Sequence, residues 1–323
     1  MFCFVQVSAR QRSATLIVPG FLWFLAGVLI GIAVRELAVV DWCVTWFKNR
    51  LFGNPTDEPF DLSDRILNYP LEPQSSWGNL GYWPTASTFP EAGQALAKLV
   101  GNTAQLTTSD RLLDLGFGCG DQLSVWLEHF GIKSVFGLNP STSQFHLAQQ
   151  KLAPYVTAKR LQLECSQAET ITNRNDSFDA VIALDAAYHF DTRFDVLAAA
   201  YQRLVPGGRL VFTDILTSAN SAGCPLWLKK IFAYGDLPEA NLISETQLHQ
   251  QLASLGFGEI TITDITANVM GGMQHFLEQF LNRWRCELRP ARLLRYEMTR
   301  RLLRLGQKQG PLIYVIYSAR KPW

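Results

Sequence analysis

Three glycines at alternate positions, set between a short apolar strand and a helix, restrict the folding of this chain more than any other stretch. The strand is Arg111 to Leu115 (RLLDL), the turn is Asp114-Leu-Gly116-Phe-Gly118-Cys-Gly120-Asp121, and the helix runs through Phe130 to a stop at Gly131. Glycine is needed where the backbone turns sharply and must approach a ligand without a Cβ in the way. Downstream, strand-like segments at Lys133 to Leu138, Leu161 to Glu164, Phe178 to Leu184 (FDAVIAL) and Arg209 to Ile215 (RLVFTDI) alternate with helical ones. The helices run from Ser141 to about Leu152, and from the end of FDAVIAL to Leu204, where Pro206-Gly207-Gly208 stops the second. Such alternation signals an α/β fold with a mostly parallel sheet. Ser244 to Leu255 then reads as a helix ending at Gly256, followed by two strands, Glu259 to Ile265 (EITITDI) and Leu312 to Ser318 (LIYVIYS). These two would pair as a terminal hairpin but for a helical insertion at about 266–310.

Spacing decides which ligand the glycine loop fits. A dinucleotide fingerprint is G-x-G-x-x-G with an acidic residue at the end of the second strand to hold the ribose. Here the pattern is G-x-G-x-G, Asp121 stands where the third dinucleotide glycine belongs, and Asn139 ends the second strand. Both departures count against a nicotinamide oxidoreductase.

The residues LLDLGFGCGDQ resemble the first motif of class I S-adenosylmethionine-dependent methyltransferases. Gly137-Leu-Asn-Pro-Ser141-Thr-Ser-Gln144 resembles the G-L-x-x-S-x-x-Q pattern of the branch that includes cyclopropane-fatty-acid synthases and tocopherol methyltransferases. Sterol methyltransferases are similar in the Gly-Leu-Asn that opens it. Asp176-Ser-Phe-Asp179 and LVPGGRLVFTDI match the late motifs, and Asn79-Leu-Gly-Tyr82-Trp83 resembles a segment that small-molecule members place over the cofactor. The resemblance spans about 77–318. It implies a Rossmann-like methyltransferase fold, with a seven-stranded, mostly parallel sheet and helices on both faces, and S-adenosylmethionine as cofactor. It further implies that Gly116, Gly118 and Gly120 line the methionine and ribose portions, and that Asp114 helps to hold the amino group. Asn139 falls where many members use a carboxylate on the ribose, and Gln167-Ala168 at the adenine position, where Asp is commoner. Read from the residues alone, Ser141 with Gln144 equally forms a helix cap, Asp114 a turn residue and Asp121 a cap.

Ligands of open α/β sheets bind at the carboxyl ends of the strands. Asp185-Ala-Ala-Tyr188-His189 lies there, after the fourth strand. The related carbon-methylating branch has an acidic residue and a histidine four apart at this place, as Asp185 and His189 are. His189 is the natural proton acceptor, since imidazole titrates near neutrality; the competing reading has Asp185 touching the cofactor only by its backbone and His189 capping a turn. Tyr82 and Tyr188 read as pocket walls or acid/base groups. His129, His146, His249 and His275 fall on or beside helices and read as non-catalytic. The six cysteines are scattered with no C-x-x-C, so they read as reduced and no metal site is expected.

Mean hydropathy is +0.04, high for a wholly soluble enzyme, and one segment concentrates it. Ala14 to Val34 is uncharged, flanked by Arg10 and Arg12 on one side and Arg35 on the other, with Trp42 and Trp46 beyond. About 20 apolar residues span a bilayer core, so a transmembrane anchor is expected, against a signal or transit peptide or a buried core helix. Gly27 and Gly31 form a G-x-x-x-G suited to a homodimer. The expected organisation is a membrane anchor and juxtamembrane helix at 1–51, a connector and lid segment at 52–89, and a methyltransferase domain at 90–323.

Net charge is only +1, which disfavours nucleic-acid binding, but residues 283–308 hold nine Lys/Arg against two Asp/Glu. There Leu294, Met298, Leu302 and Leu305 recur at helical spacing among arginines. Such a helix either lies on an anionic membrane surface or packs its apolar stripe on the core. Gly271-Gly272 and Trp227 to Tyr234 are candidates for a lid over an apolar pocket. The whole reads as methyl transfer to a small hydrophobic or lipid acceptor at a membrane, with the catalytic domain in the cytosol or mitochondrial matrix. A catalytically silent cofactor-binding scaffold is the alternative.

Overall fold

Seven strands form one sheet in the order β3-β2-β1-β4-β5-β7-β6. The computed structural model describes residues 67–68, 75–218, 237–304 and 310–323, all inside a compact unit that begins at Pro55. Ala14 to Val34, Gly27, Gly31, Trp42, Trp46, Trp227 to Tyr234 and Leu305 lie outside the described residues. Among the described residues no helix is long and apolar enough to cross a membrane.

The strands are β1 (Arg111–Leu115), β2 (Ser134–Asn139), β3 (Leu161–Cys165), β4 (Phe178–Ala183), β5 (Leu204–Thr217), β6 (Gly258–Asp264) and β7 (Leu312–Arg320). The first five are parallel, and β7 runs antiparallel between β5 and β6. Alternation along the strands fills two separate cores. Leu112, Val135, Ala180 and Tyr314 face one side of the sheet, while Leu113, Phe136, Val181 and Tyr317 face the other. Strand order reverses between β1 and β4, and that switch point is where a crevice opens in folds of this kind.

The helices are α1 (Phe89–Thr103), α2 (Asp121–Ser124), α3 (Thr142–Lys151), α4 (Ala153–Thr157), α5 (Arg193–Arg203), α6 (Glu245–Ser254), α7 (Gly272–Trp284) and α8 (Pro290–Leu303). Local chemistry fixes several ends. Thr88 with Glu91, and Ser244 with Gln247, form capping boxes at the starts of α1 and α6. After α2 the chain widens into a π-turn, Val125–His129, in which Phe130 N–H donates to Val125 O.

Two sequence expectations are corrected, and one question that the sequence left open is answered. Pro206-Gly207-Gly208 does not separate helix from strand, because β5 already begins at Leu204. The irregularity is absorbed as a register shift between Phe178 and Ala180 of β4, and Gly207 (φ +75°) lies against the ring of Trp323. The helix expected directly after β4 is preceded by a 3-10 turn, Ala187–His189, and starts only at Arg193. Finally, α8 reaches the core through Tyr296 and Leu303, whereas Leu294, Met298 and Leu302 are exposed.

Arg193 and Asp214 form a fully buried ion pair, Nη1 to Oδ2 2.6 Å, below the end of β5. Arg193 also donates to Asn241 O, and the Asn241 amide donates to the carbonyls of Tyr188 and Phe190. This network fixes the segment after β4 that carries the candidate chemistry.

Candidate active site

A cavity of about 410 Å³ opens at the carboxyl ends of β1 to β4, on the switch point. A loop or turn from each of these strands contributes to it. Gly116 and Gly118 come from the β1 loop, Asn139 ends β2, Gln167 and Ala168 follow β3, and Asp185, Tyr188 and His189 follow β4. Residues 76–79 form one further wall.

The three glycines serve different ends. Gly116 has φ +90°, and a Cβ there would lie 2.5 Å from Ala186 Cβ, so it lets the loops after β1 and β4 meet. Gly118 has φ +56° and no atom within 4 Å of where a Cβ would be: the missing side chain leaves open space in the cavity wall. Gly120 does not line the cavity. Its backbone packs on α3, where a Cβ would meet Ala148 at 2.9 Å.

Asp114 also lies away from the cavity wall. Its carboxylate is fully buried and accepts two contacts from Gln122 Nε2 (2.9 and 3.0 Å) and one from Trp126 Nε1 (2.6 Å). Removal from water pushes its pKa up to about 6 against those hydrogen bonds. A carboxyl with a raised native pKa binds more protons folded than unfolded, so its contribution to stability falls as pH rises from about 4 through 6. Asp114→Asn is therefore expected to gain on the wild type by up to about 3 kcal/mol between pH 4 and 7. Paired denaturation curves across that range test it, and a constant difference would refute it.

At the end of β2, Asn139 Nδ2 donates to Gln144 Oε1 at 3.1 Å, while Ser141 Oγ accepts from Gln144 N–H and caps α3. Asn139's side-chain oxygen has no part in that bond. Asp121 begins α2, binds Lys151 Nζ at 2.9 Å and accepts from Ser76 N–H, tying down the start of the 76–79 wall.

Asp185 is the hub of the site, and its backbone is in the left-handed region at φ +55°. Its Oδ1 accepts from the hydroxyls of Tyr188 and Tyr314, each at 2.7 Å, and its Oδ2 from Leu80 N–H at 2.7 Å. Its own N–H donates to Thr213 Oγ1. Burial raises its pKa, opposed by these donors and by the charge of His189. Tyr188 and Tyr314 are pushed well above the usual phenol range, first by burial and then by the Asp185 charge. Tyr188 is thus a fixed donor, and its ring lies 4.4 Å from that of half-buried His189.

Tyr82 does not line the cavity; its hydroxyl receives the Asn268 amide at 2.9 Å. Next to it, Trp83 N–H donates to Asn268 O and its ring stacks on Phe276. Gly272 allows this closure, since a Cβ there would collide with Trp83 at 2.3 Å. Tyr314 and the Leu80 amide escaped sequence reasoning, because they reach Asp185 from 129 and 105 residues away.

Residues 53–292 match the family described as mycolic acid cyclopropane synthetase. The chain belongs to that family. Erythromycin 3''-O-methyltransferase of Saccharopolyspora erythraea is 29% identical over 266 residues, covering 77% of this chain and 85% of the relative. Cyclopropane-fatty-acyl-phospholipid synthase of Escherichia coli is 26% identical over 195 residues, 58% of this chain and 48% of the relative. A solved cyclopropane synthase from Mycobacterium tuberculosis shares the fold, with a TM-score of 0.66 at 20% identity over 81% of this chain and 95% of that one. This member of the family is an S-adenosylmethionine-dependent methyltransferase of the branch acting on small molecules or lipids. The cavity fits that cofactor in size, in the open space at Gly118 and in the polar groups at Asn139 and Gln167.

Proposed function

We propose that this methyltransferase methylates a hydroxyl group of a small hydrophobic acceptor (a quinone, prenylated phenol, sterol or other lipid) at a membrane. The observation that carries this reading is the convergence of Asp185, Tyr188 and His189 on the wall of the cavity that Gly116 and Gly118 also line. Gly116 and Gly118 would seat the methionine portion of the cofactor, Asn139 the ribose, and Gln167 with Ala168 the adenine. When bound, the cofactor supplies an electrophilic methyl carbon on a sulfonium. His189 would take the proton of the acceptor hydroxyl whose oxygen is to receive that methyl. Asp185 holds Tyr188 and, through the Leu80 N–H, the segment that follows the 76–79 wall, and so would position His189. The O-methyltransferase activity named for the Saccharopolyspora relative supports a hydroxyl acceptor. The uncharged segment Ala14 to Val34 supports a single-pass anchor, with the catalytic domain on the cytosolic or matrix side where the cofactor is made available.

Calorimetric titration of the full chain with S-adenosylmethionine, its demethylated product and NADH is the first test. Saturable binding of the first two and none of the third is expected. Lipid extracts then supply acceptors for a methyl-transfer assay. With the acceptor so found, His189→Ala should lower kcat by about 10²–10⁴-fold and leave cofactor affinity within a factor of about two. An unchanged kcat and pH profile would remove His189 from the chemistry.

A further inference from the structure

Among the described residues, the insertion leaves one helix face exposed. Along α8, Leu294, Met298 and Leu302 are 36%, 43% and 40% exposed, and their spacing of four residues places them in a single row. At about 100° per residue, the core-facing Tyr296 and Leu303 fall on the opposite side. Arg295 and Arg301 flank the row, and Arg292 and Arg304 stand further round; all four are exposed.

The charge on this face is unbalanced. Glu297, the acid within the helix, is bound by Arg300 (2.7 Å) and Arg301 (3.1 Å), which hold its carboxyl down at about 2. Arg292 and Arg295 form no ion pair among the described residues. Beyond the helix start, Arg283, Arg285 and Arg289 are exposed as well, and Trp284 is 36% exposed.

We infer that this face of α8 docks flat on an anionic lipid bilayer, with Leu294, Met298 and Leu302 entering the acyl boundary and the arginines meeting lipid phosphates. An amphipathic helix with arginines flanking an apolar row has the composition that partitions into such an interface. A second copy of the chain is a poor occupant, because a two-fold contact would set the same arginines against each other. The contact is independent of methyl transfer and of the Ala14 to Val34 segment, and adds a surface that would present the catalytic unit to the lipid phase.

Met298 reports on the contact without substitution. Full-length protein is reconstituted into phosphatidylcholine vesicles, with or without about 30 mol % phosphatidylglycerol, an anionic fraction sufficient to attract basic segments. Hydroxyl-radical oxidation of each methionine is then read by mass spectrometry. Buried Met270 and Met273 serve as internal standards of folding. Oxidation of Met298 should fall at least about fivefold in the anionic vesicles, and the protection should vanish at about 0.5 M NaCl, where charges more than a few ångströms apart are screened. Replacing Arg292 and Arg295 by Gln should weaken binding of this face to the anionic surface by about fivefold for each arginine, at roughly 1 kcal/mol apiece, and so return Met298 oxidation toward its level in phosphatidylcholine, with Met270 and Met273 still shielded. Equal oxidation of Met298 in both kinds of vesicle would overturn the proposal. So would protection in detergent that grows with protein concentration, which marks a protein partner.

Discussion

Replacing Gly118 by leucine is expected to abolish S-adenosylmethionine binding while the protein stays folded. The backbone at Gly118 is left-handed, φ +56°, which costs a side-chain-bearing residue about 1–2 kcal/mol. That is a tolerable loss for a domain of this size. No atom lies within 4 Å of the introduced Cβ, and Gly118 lines the cavity, so the side chain starts into that open space. The space it takes is the space the cofactor needs. Affinity should fall by at least about 100-fold, equivalent to 2.7 kcal/mol or more, and methyl transfer should fall with it. Calorimetry paired with thermal denaturation checks both halves. Unchanged binding in a folded variant would place the cofactor elsewhere. Gly120→Leu is the contrasting case: it collides with Ala148 and should damage the fold itself.

The second large effect concerns stability. Arg193→Met leaves the Asp214 carboxylate buried with, among the described residues, only the Ile215 N–H as hydrogen-bond donor, and also strips a donor from Asn241 O. Removing one partner of a buried pair typically costs about 3–5 kcal/mol. For a domain of 150–250 residues that lowers Tm by roughly 10 °C. Because Asn241 also ties down the carbonyls of Tyr188 and Phe190, activity should decline well below the melting transition. The double variant Arg193→Met with Asp214→Leu should recover much of the loss, since no charge is then left without a partner. A drop under about 1 kcal/mol for the single variant would mean that water reaches Asp214.

Much of this was legible in the sequence for local reasons. Strands buried on both faces read as continuous apolar runs, and β1, β2 and β4 are found within a residue or so of where RLLDL, the stretch before Asn139 and FDAVIAL put them. That Gly116, Gly118, Asn139 and Gln167 line the cavity was legible because each sits at the carboxyl end of a strand. What escaped is non-local. That Asp114 faces Gln122 and Trp126 depends on how α2 and its π-turn lie over β1. Gly120 looks like the glycines before it, and only the approach of α3 gives it a packing role. Tyr82 sits in a motif placed over the cofactor, yet Asn268, 186 residues away, takes its hydroxyl. The exposed row on α8 was undecided in sequence, because periodicity marks a face without saying what covers it.

The place of β7 in the sheet sets an order on biosynthesis. Its pairing with β5 runs from Leu312 opposite Thr217 to Arg320 opposite Arg209, and it carries the Tyr314 hydroxyl that Asp185 accepts. A nascent chain halted before residue 312 already contains the glycine loop, the other six strands and His189. It still exposes an open edge on β5 and leaves Asp185 short of one donor. Translation must therefore deliver the seventh strand before the pocket can take its working shape, and prematurely terminated products should be inert toward the cofactor and prone to capture by chaperones.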